Sequence, residues 1–127
     1  MDSKDKFEGR IEEFEREGRK FIYIDLSGFA TMENFLDFLE YTKAIIAKYP
    51  EKSLCSIANI ADTRYDSEIK KHMADFVDHN RPHMIYGAVI GADGSKKFIV
   101  NTLLRLTKRP FQFAFNKEQA IEMLLKK

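Results

Sequence analysis

The stretch LCSIANIADTRYDSEIKKHMADFVDHNRPHMIYGAVI, residues 54–90, decides the fold. Its two ends, residues 54–60 and 84–90, are short apolar runs with β-branched residues, which is typical of buried strands. Between them, apolar residues recur at three- and four-residue spacings and predict a helix over residues 67–79. A strand, a helix and a second strand in this order predict a parallel strand pair joined by a crossover helix. The apolar residues of the helix are Ile69, Met73, Phe76 and Val77.

The same pattern continues upstream of this unit. Residues 21–26 form another short run of β-branched and aromatic residues, which predicts a strand. Thr31 is placed to cap a following amphipathic helix, and Pro50 ends that helix. The upstream half therefore adds one more strand and one more helix.

Downstream, the alternation of strands and helices goes on to the end of the chain. Ser95 is placed to cap a third helix, and residues 111–115 alternate large aromatics as a half-buried strand does. Asn116 and Gln119 form a capping-box pattern for a last helix over residues 117–125. Four strands alternating with four helices predict an α/β fold with a mainly parallel sheet and helices packed on it.

The first 20 residues admit two interpretations. Apolar residues at helical spacing would make residues 4–17 a helix. Alternatively, residues 10–15 form a strand that turns at Gly18 and pairs antiparallel with residues 21–26. The residues alone leave both interpretations open. The apolar residues in question are Phe7, Ile11 and Phe14.

The composition excludes several classes of protein. The chain of 127 residues has 21 basic and 20 acidic side chains, so its net charge of +1 makes nucleic-acid binding an unfavoured function. Its one cysteine cannot form an intramolecular disulfide, which predicts a cytoplasmic protein. The charged N-terminus does not suit a signal peptide, and no apolar run approaches the roughly 20 residues that span a bilayer.

Five segments, taken in order, resemble a family of small bacterial STAS-like proteins, which are similar in fold to the anti-sigma-factor antagonists. Together they cover roughly residues 10–125, and their order and spacing carry more information than any one of them. The segments are residues 18–28 (GRKFIYIDLSG), 59–66 (NIADTRYD), 76–82 (FVDHNRP), 87–91 (GAVIG) and 115–120 (FNKEQA).

The resemblance implies one STAS-like domain over residues 1–127, with residues 1–9 as a mobile tail. It implies a mostly parallel central sheet, an antiparallel N-terminal edge strand and about four helices on one side, which favours a strand at residues 10–16. Related folds include the CRAL-TRIO lipid-transfer domains, which hold apolar ligands. The family is similar to regulatory domains rather than to an enzyme, so the resemblance implies no catalytic residues and no cofactor.

Polar residues follow the predicted strands where ligands usually bind in parallel α/β sheets, at the carboxyl ends of the strands. We expect them to form a binding site for a ligand or a partner. Ordinary capping and turn chemistry uses the same residue types and is the competing explanation. The residues are Asp25, Ser27, Asp62, Arg64, Tyr65, Asp66, Asp93 and Ser95.

Ser67 is a candidate phosphorylation switch through the same resemblance. The anti-sigma-factor antagonists carry a phosphorylatable serine in an Asp-Ser-(Ser/Thr)-Gly motif at the start of a helix. Asp66 and Ser67 match its first two positions, whereas Glu68 and Ile69 depart from the other two. A phosphate at a helix start is stabilised by free amides, but Glu68 would repel it. The competing explanation is that Asp66 or Ser67 caps the helix.

Residues 95–109 contain five basic side chains and no acid. A basic face can recruit an acidic partner, an anionic head group or a phosphate. The competing explanation is a solvated surface balanced by acids of a neighbouring helix, such as Glu118 and Glu122. The basic residues are Lys96, Lys97, Arg105, Lys108 and Arg109.

No metal site is expected. His72 and His79 are two helical turns apart, roughly 10 Å, which is too far for one ion. Cys55 falls inside a predicted core strand, where a thiol is normally a small buried hydrophobe.

Three functions are consistent with these patterns. The first is a non-enzymatic regulatory or interaction module that contacts a partner protein, such as an acidic one, through the strand-end loops and the basic helix. The second is a carrier or sensor of a small apolar or anionic, lipid-like ligand, with aromatic residues lining a cavity. The third, with least support, is an enzyme acting around Asp62 and Asp66. The aromatic residues are Phe35, Phe38, Phe76, Phe98, Phe111, Phe113 and Phe115.

Overall fold

A mixed five-stranded sheet organises the part of the chain that the structure, a computed structural model, describes: residues 6–63, 66–92 and 111–127. The strand order is β1-β2-β3-β4-β5, with β1 antiparallel to β2 and the other neighbours parallel. The predicted α/β class and the mostly parallel sheet are thus confirmed. The strands are β1 (Ile11–Arg16), β2 (Arg19–Asp25), β3 (Leu54–Asn59), β4 (Met84–Ile90) and β5 (Phe111–Ala114). The described helices are α1 (Met32–Ile46), α2 (Ser67–Asn80) and α3 (Lys117–Leu125), with a short 3₁₀ turn at Arg81–His83.

Residues 11–16 form a strand, so the interpretation of residues 4–17 as one helix is wrong. β1 and β2 form a hairpin whose two-residue turn has positive φ at Glu17 (52°) and Gly18 (78°). Positive φ at both central residues matches the right-handed twist of the flanking strands. Ile11 packs into the core on one face of the sheet and Phe14 into the core on the other face. A helical stripe would have placed these two side chains together.

The helices cover both faces of the sheet, so the expectation of helices on one side is wrong. α1 and α2 pack on the face that carries Ile22 and Ile24, whereas α3 packs on the face that carries Phe21 and Ile57. Right-handed crossovers between neighbouring parallel strands place their helices on the same face. α3 follows the last strand and links no further strand of the sheet, so this rule does not confine it to that face.

Each described helix begins at a residue whose side chain accepts a backbone hydrogen bond. Thr31 accepts from the amide of Asn34 at 3.1 Å, as predicted for the start of α1. Asn116 accepts from the amide of Gln119 at 2.8 Å and so caps α3, also as predicted. The helix predicted to start at Ser95 lies outside the described residues. None of the described helices combines the length and the apolar character that a membrane span requires.

Aromatic side chains join the N-terminal segment to α1. Phe7 is 4% exposed, and its ring centroid lies 5.1 Å from that of Phe38 and 5.2 Å from that of Tyr41. Of the residues expected to form a mobile tail, 1–9, residues 1–5 lie outside the described part, and Phe7 packs in the core. The segment that precedes β1 therefore packs against α1 through Phe7.

Candidate functional site

The loops after β2, β3 and β4 begin at the same edge of the sheet. Asp25, Asn59 and Ile90 occupy matching positions at the carboxyl ends of their strands. Backbone bonds continue past the strands: the amide of Leu26 donates to the carbonyl of Asn59, and the amide of Ile60 donates to that of Ile90, each at 2.9 Å. The parallel pairing thus brings the strand-end loops together, as expected from the sequence.

The loop after β2 holds two predicted site residues, Asp25 and Ser27. Asp25 Oδ1 accepts from the amide of Ser27 at 2.9 Å and from its hydroxyl at 2.5 Å. Arg10 Nη1 donates to the carbonyls of Asp25 (3.1 Å) and Ser27 (2.7 Å), and its guanidinium lies 3.7 Å from the ring centroid of Phe29. These polar groups fix the conformation of the loop. Sequence reasoning missed Arg10, which precedes β1 and becomes a neighbour of Asp25 only through the antiparallel pairing.

The loop after β3 is held by two polar side chains that the sequence did not single out. Asn59 Oδ1 accepts from the amide of Ala61 at 3.0 Å, and Asn59 Nδ2 donates to the hydroxyl of Tyr23 at 3.2 Å. The Thr63 hydroxyl lies 3.1 Å from the carbonyl of Leu26, which links this loop to the one after β2. The predicted residue Asp62 is exposed and has a positive φ of 53°. The rigid loop therefore presents the Asp62 carboxylate to solvent in a conformation that non-glycine residues adopt infrequently.

The loop after β4 approaches the loop after β3 very closely at Gly91. Its φ is +82°, and a Cβ atom there would lie 2.6 Å from the amide nitrogen of Ala61 and 2.8 Å from Asn59 Oδ1. Only glycine fits both the conformation and the space. The glycine was visible in the sequence, but its neighbours were not, since they come from a different strand.

A small cleft opens between these loops and the starts of α1 and α2. Its volume is about 140 Å³, and its polar groups come from Thr31, Asp62 and Thr63. The rest of the lining is mostly apolar. The apolar lining residues are Leu26, Phe29, Ala30, Met32, Phe35 and Ile69.

Asp66 and Ser67 stand at the start of α2, beyond this cleft. Asp66 is the N-cap of the helix, and its side chain accepts from the amide of Ile69 at 2.9 Å. Ser67 is the first residue of the helix and is exposed, as is Glu68 beside it. Of the two capping candidates, Asp66 is therefore the one that caps.

The remaining predicted site residues fall outside the described part of the chain. Cys55 is fully buried within β3, as predicted. Within residues 6–63, 66–92 and 111–127, the His, Cys, Asp and Glu side chains form no group of three suited to a metal ion. The undescribed site residues are Arg64, Tyr65, Asp93, Ser95, Lys96, Lys97, Arg105, Lys108 and Arg109.

Pronounced pKa shifts occur in two clusters away from the strand-end loops. Burial and the carboxylate of Glu13 raise the pKa of Tyr49 to about 12. The hydrogen bond from Lys43 lowers the pKa of Asp75. Burial alone would lower the pKa of Lys43, but its hydrogen bonds to Asp75 and Glu40 outweigh that effect and raise it. The second cluster links α1 to α2 through the ion pair of Lys43 and Asp75.

The chain matches no family model and no curated protein. The function therefore has to be inferred from the fold and from the geometry of the strand-end loops. At that edge the described polar side chains are largely engaged within the loops, and the carboxylates of Asp62 and Asp66 belong to exposed residues.

Proposed function

We propose that the chain is a cytoplasmic, non-enzymatic regulatory or interaction module of STAS-like type. It binds a partner protein through the strand-end loops and the basic segment, residues 95–109. No cofactor takes part in this function. The family assignment within this proposal rests on the resemblance of the five sequence segments described above.

The observation that carries the proposal is that polar side chains at the strand ends form hydrogen bonds within and between the loops. Asp25 accepts two hydrogen bonds from Ser27, and Thr63 joins two loops. A catalytic acid, base or nucleophile has to reach a substrate, whereas these groups hold backbone in place. A preorganised surface suits protein recognition, because little conformational entropy is lost when it binds.

Charge segregation supports an acidic partner. Residues 95–109 carry five basic side chains and no acid, whereas residues 1–17 carry seven acids and four bases. The near-neutral net charge of the whole chain is thus an average over one acidic and one basic segment. A cluster of basic residues accelerates association with an acidic surface and makes binding sensitive to salt.

The test is a pull-down from an extract of the source organism, compared between two charge-matched double variants. Lys97→Glu with Arg105→Glu should release an acidic partner that the unmodified protein retains. Lys48→Glu with Lys71→Glu makes the same change of net charge at two exposed positions and should retain it. If both double variants retain the partner, the basic segment is a solvated surface and this part of the proposal fails.

The second candidate function, a carrier of a small ligand that binds at the strand ends, would use the strand-end cleft. The cleft has both polar and apolar lining residues, but its volume of about 140 Å³ lies under the roughly 300 Å³ of ordinary ligand pockets. Phe35, Phe38 and Phe76 are at most 4% exposed and pack into the core, while Phe115 is 88% exposed. These four aromatic residues therefore line no ligand-sized cavity, which favours the interaction module. Native mass spectrometry of the purified protein distinguishes the two: a retained small molecule supports the carrier.

A further inference from the structure

The outer edge of β1 has backbone groups that pair with no strand of the described sheet, since β1 ends the strand order. The amide of Asp25 donates to the carbonyl of Arg10 at 2.8 Å, and the two residues are direct partners in the register that pairs Ile11 with Ile24. Hydrogen-bonded and non-bonded pairs alternate along an antiparallel ladder. The amides and carbonyls of Ile11, Glu13 and Glu15 therefore point away from β2.

A groove runs beside this edge, between β1, the preceding segment and α1. Its volume is about 300 Å³, which is enough for one or two side chains of a peptide. Its lining is part apolar and part polar, and the polar part includes the carboxylates of two acids, Glu8 and Glu13. The hydroxyl of Tyr49 donates to Glu13 Oε1 at 2.5 Å and so holds this carboxylate in place. The other lining residues are Phe7, Gly9, Ile11, Tyr41 and Ile45.

The charges along this edge decide what can pair with it. β1 has the sequence IEEFER, with three acids and one base, and its acids are exposed. A second copy of β1 would bring Glu13 and Glu15 against the same acids, which is unfavourable, whereas Glu12 is already paired with Lys117. A segment with positive side chains would meet carboxylates both on the edge and in the groove. Charge complementarity therefore selects a basic partner and disfavours self-association.

We propose that the β1 edge and the β1–α1 groove bind an extended basic segment of a partner protein, which adds a sixth strand to the sheet. The added strand pairs with the outward backbone groups of Ile11, Glu13 and Glu15. Its long cationic side chains face the groove, where their alkyl stems pass over Tyr41 and Ile45 and their charged ends meet the carboxylates of Glu8 and Glu13. Main-chain bonds supply affinity and the groove supplies specificity in this mode of recognition. This surface shares no lining residue with the strand-end cleft, so the proposal does not depend on the proposed function of the chain.

Charged residues on an edge strand also protect a protein against unwanted pairing. If that were their whole role here, no peptide would pair with β1. The experiment therefore uses a probe that reports on backbone pairing separately from charge. The probe is a fluorescent seven-residue peptide of alternating lysine and valine, titrated with the full chain at low salt.

Two N-methylated forms of the peptide distinguish backbone pairing from attraction between charges. One form carries the methyl groups on its valine amides and the other on its lysine amides. Since alternate amides of a strand point to opposite sides, strand addition requires that one form loses binding by about tenfold or more while the other keeps it. Binding by charge alone would leave the two forms equal.

Protein variants test the acids. Glu8→Gln with Glu13→Gln should weaken binding of the unmethylated peptide by about fivefold to tenfold, since two ion pairs are lost. The matched control, Glu51→Gln with Glu122→Gln, removes two exposed acids outside the groove and should leave affinity unchanged. Amide hydrogen exchange should slow at Ile11, Glu13 and Glu15 when the peptide is present.

The proposal is overturned by any of three results: no binding up to about 1 mM peptide, equal binding of the two methylated forms, or protection of amides elsewhere than in β1. Unequal methylated forms together with protected odd-numbered amides of β1 support it. The peptide comparison needs no protein variant, so the outcome does not depend on how the variants fold.

Discussion

Replacing Gly91 by alanine should destabilise the protein through a contact between two strand-end loops. Gly91 has a φ of +82°, where an L-residue costs about 1–2 kcal/mol more than glycine. The new Cβ would also lie 2.6 Å from the amide nitrogen of Ala61 and 2.8 Å from Asn59 Oδ1. Both atoms belong to the hydrogen bond that shapes the loop after β3, at 3.0 Å. The methyl group therefore cannot be accommodated without moving that loop.

The expected loss separates into two parts. The backbone conformation contributes about 1–2 kcal/mol, and the displaced hydrogen bond adds about 1 kcal/mol, so the free energy of unfolding should fall by about 2–3 kcal/mol. Gly28 is the matched control, because its φ is +62° but a Cβ there meets no atom within 4 Å. Gly28→Ala should cost only the conformational part. The difference between the two variants measures the contact.

Urea denaturation followed by circular dichroism gives both values under the same conditions. The midpoint of Gly91→Ala should lie below that of Gly28→Ala, with an unchanged dependence on urea. Equal midpoints would refute the close approach of the two loops. A hydrogen-exchange comparison should also show faster exchange at the amide of Ala61 in Gly91→Ala only, because its partner Asn59 is displaced.

Three other predictions concern a helix cap, a pKa and the core. Asp66→Ala should lower stability by about 1 kcal/mol, whereas Ser67→Ala should change it by less than about 0.5 kcal/mol in urea denaturation, because only Asp66 caps α2. In ultraviolet titration, the phenol of Tyr49 should ionise near pH 12, and the Tyr49→Phe variant should lack this step. The pKa of Tyr49 in the folded protein exceeds the ordinary value of 10.0, so its contribution to stability is complete below about pH 10 and is lost as the pH rises toward 12; ionisation near 10 would contradict the burial of the phenol and its contact with Glu13. Phe38→Ala should cost about 3–5 kcal/mol by denaturation, since the side chain is 0% exposed, and a loss under about 1 kcal/mol would mean that the aromatic core is loosely packed.

Periodicity and cap residues predicted most of the secondary structure. Thr31, Asn116 and the apolar spacing of α2 gave helix positions that agree closely with the structure. These signals act over three or four residues, so they can be read locally. The N-terminal segment shows the limit of such signals, because Phe7, Ile11 and Phe14 satisfy a helical spacing while tertiary pairing makes residues 11–16 a strand.

The sequence predicted where the candidate site lies but not which of its residues form hydrogen bonds with one another. The rule that parallel strands end at a common edge placed Asp25, Ser27 and Asp62 near one another. It did not reveal that Asp25 and Ser27 bond to each other, nor that Arg10 holds their loop. Those partners are set by distances between separate segments of the chain.

The sequence by itself determined the strands and helices of residues 21–90 and 111–125, the caps at Thr31 and Asn116, and the class of the fold. Each depends on interactions between residues close together in the chain, which leave a regular pattern. Tertiary structure alone decided which face α3 covers, how closely Gly91 approaches Ala61 and which backbone groups of β1 point away from β2. These features arise where distant segments meet, because packing geometry and strand register are not encoded in any local spacing.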